Sequence, residues 1–375
     1  MKKEKQTKQV ENTESVKYYS LANILATESD YNIIFGERSN GKTFAALEYG
    51  LKRYIENKEQ TAYIRRWRAD LIGKRAETLF SGHVKNGLVE TLTNGEYNNI
   101  LYKQGKWYLC KTIENKIQID GKPFCFAFSL SEQEHDKSTS YPDITTIVFD
   151  EFLTRRYYLP DEFMLFMNTL STIIRQRNNV KIFLLGNTVN KFCPYFAEMG
   201  LKNVANQLQG TIDIYTFGEN GTKVAVEYAE TVSNNKVSNK YFCFDNQSLN
   251  MITNGKWEIA LYPHLPKKYL PKDVKFKYYI IFNDITLQCD IIINNIDNFT
   301  FIHSETEKHT DNDIIYTLNY NPLPNYRRRL INNYTDIDKK ITQYFILDKV
   351  FYETNEIGEM VRNYIKVSNE NILLK

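Results

Sequence analysis

A chain of 375 residues is long for one core and suggests two domains, and a 42% hydrophobic share with 14% aromatics is ample for both. Its net charge of +3, from 48 basic and 45 acidic residues, is too balanced to announce a nucleic-acid partner, so any such contact must come from local clusters. The five cysteines (Cys110, Cys125, Cys193, Cys243, Cys289) form no C-x-x-C pair, and the five histidines make no metal-spaced cluster, which argues against a disulfide framework and a zinc site.

In chain order, residues 1–16 carry mixed charge with no apolar core, which reads as a flexible arm and not a secretory signal. No apolar run reaches the roughly twenty residues that span a bilayer, so no membrane partner is expected. A first domain is predicted over 17–229. Within it, apolar and β-branched runs at 32–35, 61–67, 145–149 and 180–186 read as strands, and 43–55 and 161–174 as helices. Such alternation predicts a parallel sheet with helices on both faces. Segments 99–111 and 116–130 alternate apolar and polar residues around Gln104-Gly105 and Asp120-Gly121, predicting antiparallel hairpins inserted into that unit. A third hairpin is predicted from 211–217 and 224–228, turning at Glu219-Asn220-Gly221. Residues 230–250 are polar and turn-rich, a linker. Beyond it, 251–375 form a second, smaller domain with a hairpin of 278–282 and 285–293 turning at Asn283-Asp284, and a helix over 335–345.

Residues Gly36-Glu37-Arg38-Ser39-Asn40-Gly41-Lys42-Thr43 match G-x-x-x-x-G-K-[ST], the phosphate-binding P-loop, between a predicted strand and a predicted helix. That context aims backbone N–H groups and a helix N-terminus at one anion. Lys42 is expected at the β- and γ-phosphates and the Thr43 hydroxyl on Mg²⁺, which makes ATP with Mg²⁺ the expected ligand set. Ile144-Thr145-Thr146-Ile147-Val148-Phe149-Asp150-Glu151 is an apolar strand ending in two carboxylates, the Walker B pattern. Asp150 is suited to the metal shell and Glu151 to polarising the attacking water, which favours hydrolysis over binding alone. Asn187, at the end of the 180–186 strand, reads as a γ-phosphate sensor or as a strand-end cap. Ile174-Arg175-Gln176-Arg177 reads as a basic patch closing a helix, or as an arginine finger for a neighbouring subunit.

These segments, with Tyr63-Ile64-Arg65-Arg66-Trp67-Arg68, Ser129-Leu130-Ser131-Glu132-Gln133 and Cys193-Pro194-Tyr195-Phe196, occur in one order that resembles the genome-encapsidation ATPases of small phi29-like tailed phages. The resemblance covers about 31–228. It implies a P-loop ATPase of the additional-strand catalytic-Glu type, followed by an α+β, RNase H-like domain that is a vestigial nuclease. It further implies a homopentameric ring that drives double-stranded DNA into a preformed capsid. The implied partners are the portal of the procapsid, a packaging RNA and other copies of the chain. The implied location is the host cytoplasm, docked at the portal vertex and absent from the mature virion. The resemblance implies that Arg175 is the trans-acting arginine, with Arg177 as competitor, and that Lys137 is a second basic residue acting across the interface. Arg65, Arg68, Arg155 and Arg156, beside the strand ends, are the expected DNA contacts. Two other readings stand beside this one: another ring-forming DNA translocase or helicase, and a nucleotide-binding assembly scaffold with little turnover.

Overall fold

A computed structural model describes residues 18–114, 116–132, 140–155, 158–230, 257, 260–265, 267–294 and 298–370. Its main sheet is built from β1 (Tyr31–Gly36), β2 (Gln60–Arg65), β3 (Asn99–Lys103), β4 (Lys106–Ile113), β5 (Lys116–Ile119), β6 (Cys125–Ser129), β7 (Ile144–Asp150), β8 (Lys181–Asn187), β9 (Thr211–Phe217) and β10 (Thr222–Tyr228). The spatial order is β3-β4-β6-β2-β7-β8-β1-β10-β9, with β5 hanging on β4. From β6 to β10 every neighbouring pair is parallel. The central strands read as unbroken apolar runs because both faces are covered. Ile33 and Phe35 point into one core with Phe149 and Phe166, while Ile34 points into the other with Leu47, Val148 and Phe183.

The order decides what the site can be. β8 lies between the P-loop strand β1 and the Walker B strand β7, so the C-terminal ends of all three meet at one edge. An extra strand in that place is what the additional-strand class requires. The helix Lys42–Asn57 begins after Gly41, whose φ of 98° a residue with a Cβ rarely adopts. The helix Glu162–Ile174 covers the opposite face through Phe166, Leu170 and Ile173.

The predicted hairpins are borne out in part. β3 and β4 turn at Gln104-Gly105, and β9 pairs antiparallel with β10. The second inserted hairpin is corrected. β4 turns back earlier, at Glu114, into the short β5, while β6 leaves the hairpin and joins β2 in parallel. Cys125 and Phe128 of β6 are buried, and Asp120 accepts a hydrogen bond from Tyr54 Oη at 2.9 Å, so the Asp120-Gly121 segment is a crossing and not a hairpin turn. The segment therefore widens the main sheet instead of interrupting it.

The predicted linker lies largely outside the described residues, and Trp257 beyond it packs on Phe35 at 5.0 Å between ring centroids. A second sheet follows: β11 (Val274–Phe282), β12 (Ile285–Ile293), β13 (Asn298–Ser304), β14 (Ile314–Thr317), β15 (Tyr326–Arg327) and β16 (Val350–Tyr352). Its order is β15-β14-β11-β12-β13-β16. Asn283 and Asp284 turn β11 into β12 with φ of 51° and 62°, the primed turn that fits strand twist. The helix Asp336–Ile346 starts on a capping box between Thr335 and Asp338, and the helix Asn355–Glu370 contributes Met360, Val361 and Tyr364 to the core. Among the described residues no helix is long and apolar enough to cross a membrane.

Candidate active site: a nucleotide cleft with an ion-paired glutamate

Gly36 lies against Ala229, where an added Cβ would come within 3.2 Å, so the loop needs glycine there. Lys42 Nζ donates to Glu37 O at 2.6 Å, Asn40 Oδ1 at 3.1 Å and Asn187 Oδ1 at 3.4 Å. Burial pushes the Lys42 ammonium down to about 8, with the Asp150 and Glu37 charges partly offsetting the loss of water. A phosphate is the charge that such a site lacks. Ser39 and Arg38 are exposed at the rim.

Thr43 Oγ1 donates to Asp150 Oδ1 at 3.1 Å, which joins the P-loop helix to the end of β7. These are hard oxygen donors side by side at the phosphate end, the donor set that Mg²⁺ takes. Together Ser39, Asn40, Lys42, Thr43, Asp150, Glu151 and Asn187 line a cleft of about 280 Å³. Asn187 stands at its inner wall because β8 and β1 are in register, Asn187 opposite Gly36.

Glu151 has a φ of 58°, a left-handed backbone that a non-glycine residue takes only when its surroundings impose it. The imposing group is Arg66. Its guanidinium donates to Glu151 O at 3.1 Å and Phe152 O at 2.7 Å, and pairs twice with the buried Glu162 at 2.6 and 2.8 Å. The Glu162 carboxylate also accepts from Tyr195 Oη at 2.9 Å and Leu159 N at 2.7 Å.

The second strand supplies what sequence reading missed. Tyr63 and Arg65 alternate onto one face of β2, next to β7. Tyr63 Oη donates to Asp150 Oδ2 at 2.9 Å, and Arg65 Nη2 meets Glu151 Oε2 at 2.6 Å, with Asp150 and Asp70 at 3.6 and 3.5 Å. Burial lowers the Arg65 pKa, but Tyr63, Asp150 and Glu151 outweigh it and hold the guanidinium charged. Arg65, expected at DNA, is instead held by the carboxylates that border the cleft: three of them compete for it, and its side chain is 15% exposed. The signal was the two-residue spacing of Tyr63 and Arg65, legible only once β2 is known to border β7. Nor does the sequence tell that His83 stacks on Phe44, a cleft-lining residue, at 3.9 Å.

The other basic candidates divide. Arg68 is partly exposed, 3.6 Å from Glu132, and Arg155 is exposed with its Nε donating to Val189 O at 3.1 Å. Arg156 and Lys137 lie outside the described residues. Arg177 donates to five carbonyls (Ile173, Ile174, Tyr141, Pro142 and Ile144), so it staples the helix end to the start of β7. Arg175 is exposed on a left-handed helix cap with φ of 42°. It is not brought to the cleft. β8 runs seven residues from that end to Asn187, about 20 Å at ~3.3 Å per residue.

A strand-loop-helix phosphate cradle, paired carboxylates on the next strand but one, and an intervening strand ending in an amide define a P-loop ATPase. The sequence profile of the podovirus DNA encapsidation protein (Gp16) family matches residues 13–356, and the chain belongs to that family of DNA-packaging motor ATPases. It is 26% identical over 324 residues to the DNA packaging protein of Bacillus phage phi29, covering 84% of this chain and 87% of that protein. It is 32% identical over 181 residues to the DNA packaging protein of Bacillus phage B103, covering 48% of this chain and about half (50%) of that protein. The solved bacteriophage phi29 genome packaging motor assembly superposes with a TM-score of 0.58 at 21% identity, over 95% of this chain and 100% of that one, which shows a shared fold.

Proposed function

We propose that the chain hydrolyses ATP at interfaces between its own copies in a ring, homopentameric as in the resembling family, and that this drives double-stranded DNA into a procapsid. Thr43 and Asp150 would hold Mg²⁺, which supplies charge neutralisation on the transferring phosphoryl group. Lys42 neutralises the β- and γ-phosphates and Asn187 orients the terminal one. Glu151 takes a proton from the attacking water, which requires its pair with Arg65 to open first. Arg68, Arg155 and Arg156 are left as the DNA contacts, and Lys137 as a second trans-acting cation.

One observation carries the ring reading. Arg175 is exposed one strand length from its own cleft, so a phosphate that it meets must belong to another chain. Arg177, the competitor, is used up in carbonyl contacts. Other ring-forming translocases and a slow assembly scaffold are disfavoured by the encapsidation family match and by the Asp150-Glu151 pair.

The order β13-β12-β11-β14-β15, antiparallel for three strands and parallel for the last two, supports the RNase H-like reading of the C-terminal unit. Its role is contact to portal or packaging RNA, with the complex at the portal vertex in the host cytoplasm. Two metals would need converging carboxylates. Asp284 sits on an exposed turn 3.5 Å from Lys202, and Asp290 is buried in β12 among its own partners, while Asp297 lies outside the described residues.

The trans assignment is tested by mixing Arg175→Ala protein with Lys42→Ala protein, each inactive alone. Mixed rings pair a sound P-loop with a sound finger at some interfaces, so DNA-stimulated hydrolysis should return to a measurable fraction of wild type. A ring demonstrated to be mixed that stays inactive sinks the assignment.

A further inference from the structure

We propose that Asn190 and Asn363 form a buried strut through which the C-terminal unit positions Asn187 in the cleft, making Asn363 a positioning residue for hydrolysis. The inference rests on the reading of Asn187 as part of the hydrolytic site. Asn187 is the last residue of β8, and its Oδ1 lies 3.4 Å from Lys42 Nζ. Three residues later the chain reaches Asn190, which is 4% exposed. Asn190 Oδ1 accepts from Phe192 N at 3.0 Å and folds the loop into a tight turn. Asn190 Nδ2 donates to Asn363 Oδ1 at 2.9 Å, across to the helix Asn355–Glu370. Asn363 is itself buried, and its Nδ2 donates to Glu359 O at 2.7 Å.

The chain between the two amides leaves little slack. Thr188 N donates to Gly36 O of the P-loop strand at 3.2 Å, and Val189 O accepts from Arg155 at 3.1 Å. Behind β8, a Cβ on Gly186 would come within 2.9 Å of Leu153, so the strand end is wedged against the residues that follow Glu151. Phe192 then packs on Phe282 of β11 at 6.0 Å and joins the apolar cluster of the second sheet. Apolar contact alone would tolerate sliding. A buried amide pair does not, because a displaced partner leaves donors and acceptors unsatisfied. The pair therefore specifies where the loop sits, and through three residues where Asn187 points.

The alternative is that the amide pair only glues the two units together. Stability would then fall, with no selective loss of turnover. The full chain is assayed for ATP hydrolysis with duplex DNA, as wild type, Asn363→Ala, Asn190→Ala, Asn187→Ala and Asn187→Ala/Asn363→Ala, with thermal unfolding alongside. Should Asn363→Ala fail to fold, Asn363→Ser takes its place. We expect Asn363→Ala and Asn190→Ala each to lower kcat about three- to tenfold with KM for ATP within about twofold, the pattern of a lost transition-state contact. In the Asn187→Ala background, Asn363→Ala should cost nothing more, since residues that act through one another are not additive. Unchanged kcat in Asn363→Ala, or the same fold-loss in both backgrounds, overturns the strut alone. An Asn187→Ala protein with wild-type kcat overturns the sensor reading and the strut with it.

Discussion

The two sheets treat their carboxylates in opposite ways. In the first, Asp150 and Glu151 stand at strand ends on a cleft, held by Thr43, Tyr63 and Arg65 but open to a ligand. In the second, Asp338 is fully buried and consumed by Thr335, Tyr316 and Arg327, and Asp290 by Tyr269, Gln288 and His303. Arg327 belongs to the basic cluster Arg327-Arg328-Arg329, yet its charge is turned inward to Asp338 and is not offered to a nucleic acid. A carboxylate becomes a site where the fold leaves part of its coordination for something else. Where the fold completes it, the group serves structure and acts on the site only through what it holds in place.

The contrast predicts which substitutions cost turnover and which cost folding. Glu151→Gln should lower ATP hydrolysis about 100- to 10,000-fold, the worth of a positioned general base, and leave nucleotide binding and the unfolding midpoint near wild type. Hydrolysis at wild-type rate in that variant would remove Glu151 from its role. Glu162→Ala breaks a buried pair and strips Arg66 of its partner, so urea unfolding should show a loss of about 3–5 kcal/mol. It should also lower turnover, because Arg66 carries the carbonyls of Glu151 and Phe152. Asp338→Ala should cost about 2–3 kcal/mol through the lost cap and the unpaired Arg327, yet leave the turnover of folded protein unchanged. Reduced kcat there, at full folding, would break the comparison.

The smallest expected effect is on pH. Burial lowers the His303 pKa, but Asp290 Oδ2 at 3.4 Å from Nε2 outweighs it and raises the value above 6.5. A raised folded-state pKa stabilises fully below about pH 6.5 and is lost as pH rises through the folded value. Asp290 is shifted down, so its own contribution persists until acid pH. The unfolding temperature should therefore fall as pH rises from 5.5 to 8. His303→Gln should flatten that slope, and an unaltered slope would show that His303 does not cause it.

Much of this was legible because it is local. A P-loop is eight consecutive residues whose glycines and lysine act through backbone geometry, and a Walker B strand announces itself by apolar residues ending in acid. The hairpin turns at Gln104-Gly105 and Asn283-Asp284 were legible for the same reason, since the primed turn needs positive φ at its two central residues. Longer-range pairing was not. The partner of β6 depends on which strand comes within reach, and alternation looks alike in a hairpin and at a sheet edge.

The sequence by itself determined which residue types are set side by side for the chemistry: those suited to phosphate, those suited to a metal, and a carboxylate suited to activating water, because each rests on a few adjacent residues. Only the tertiary structure decided how charges are shared. It turned Arg65 from the DNA side to Glu151, locked Arg177 onto carbonyls, and put Arg175 at the opposite end of the sheet from its own cleft. Those outcomes depend on strand order and on the few ångströms over which ion pairs act, neither of which a linear pattern encodes.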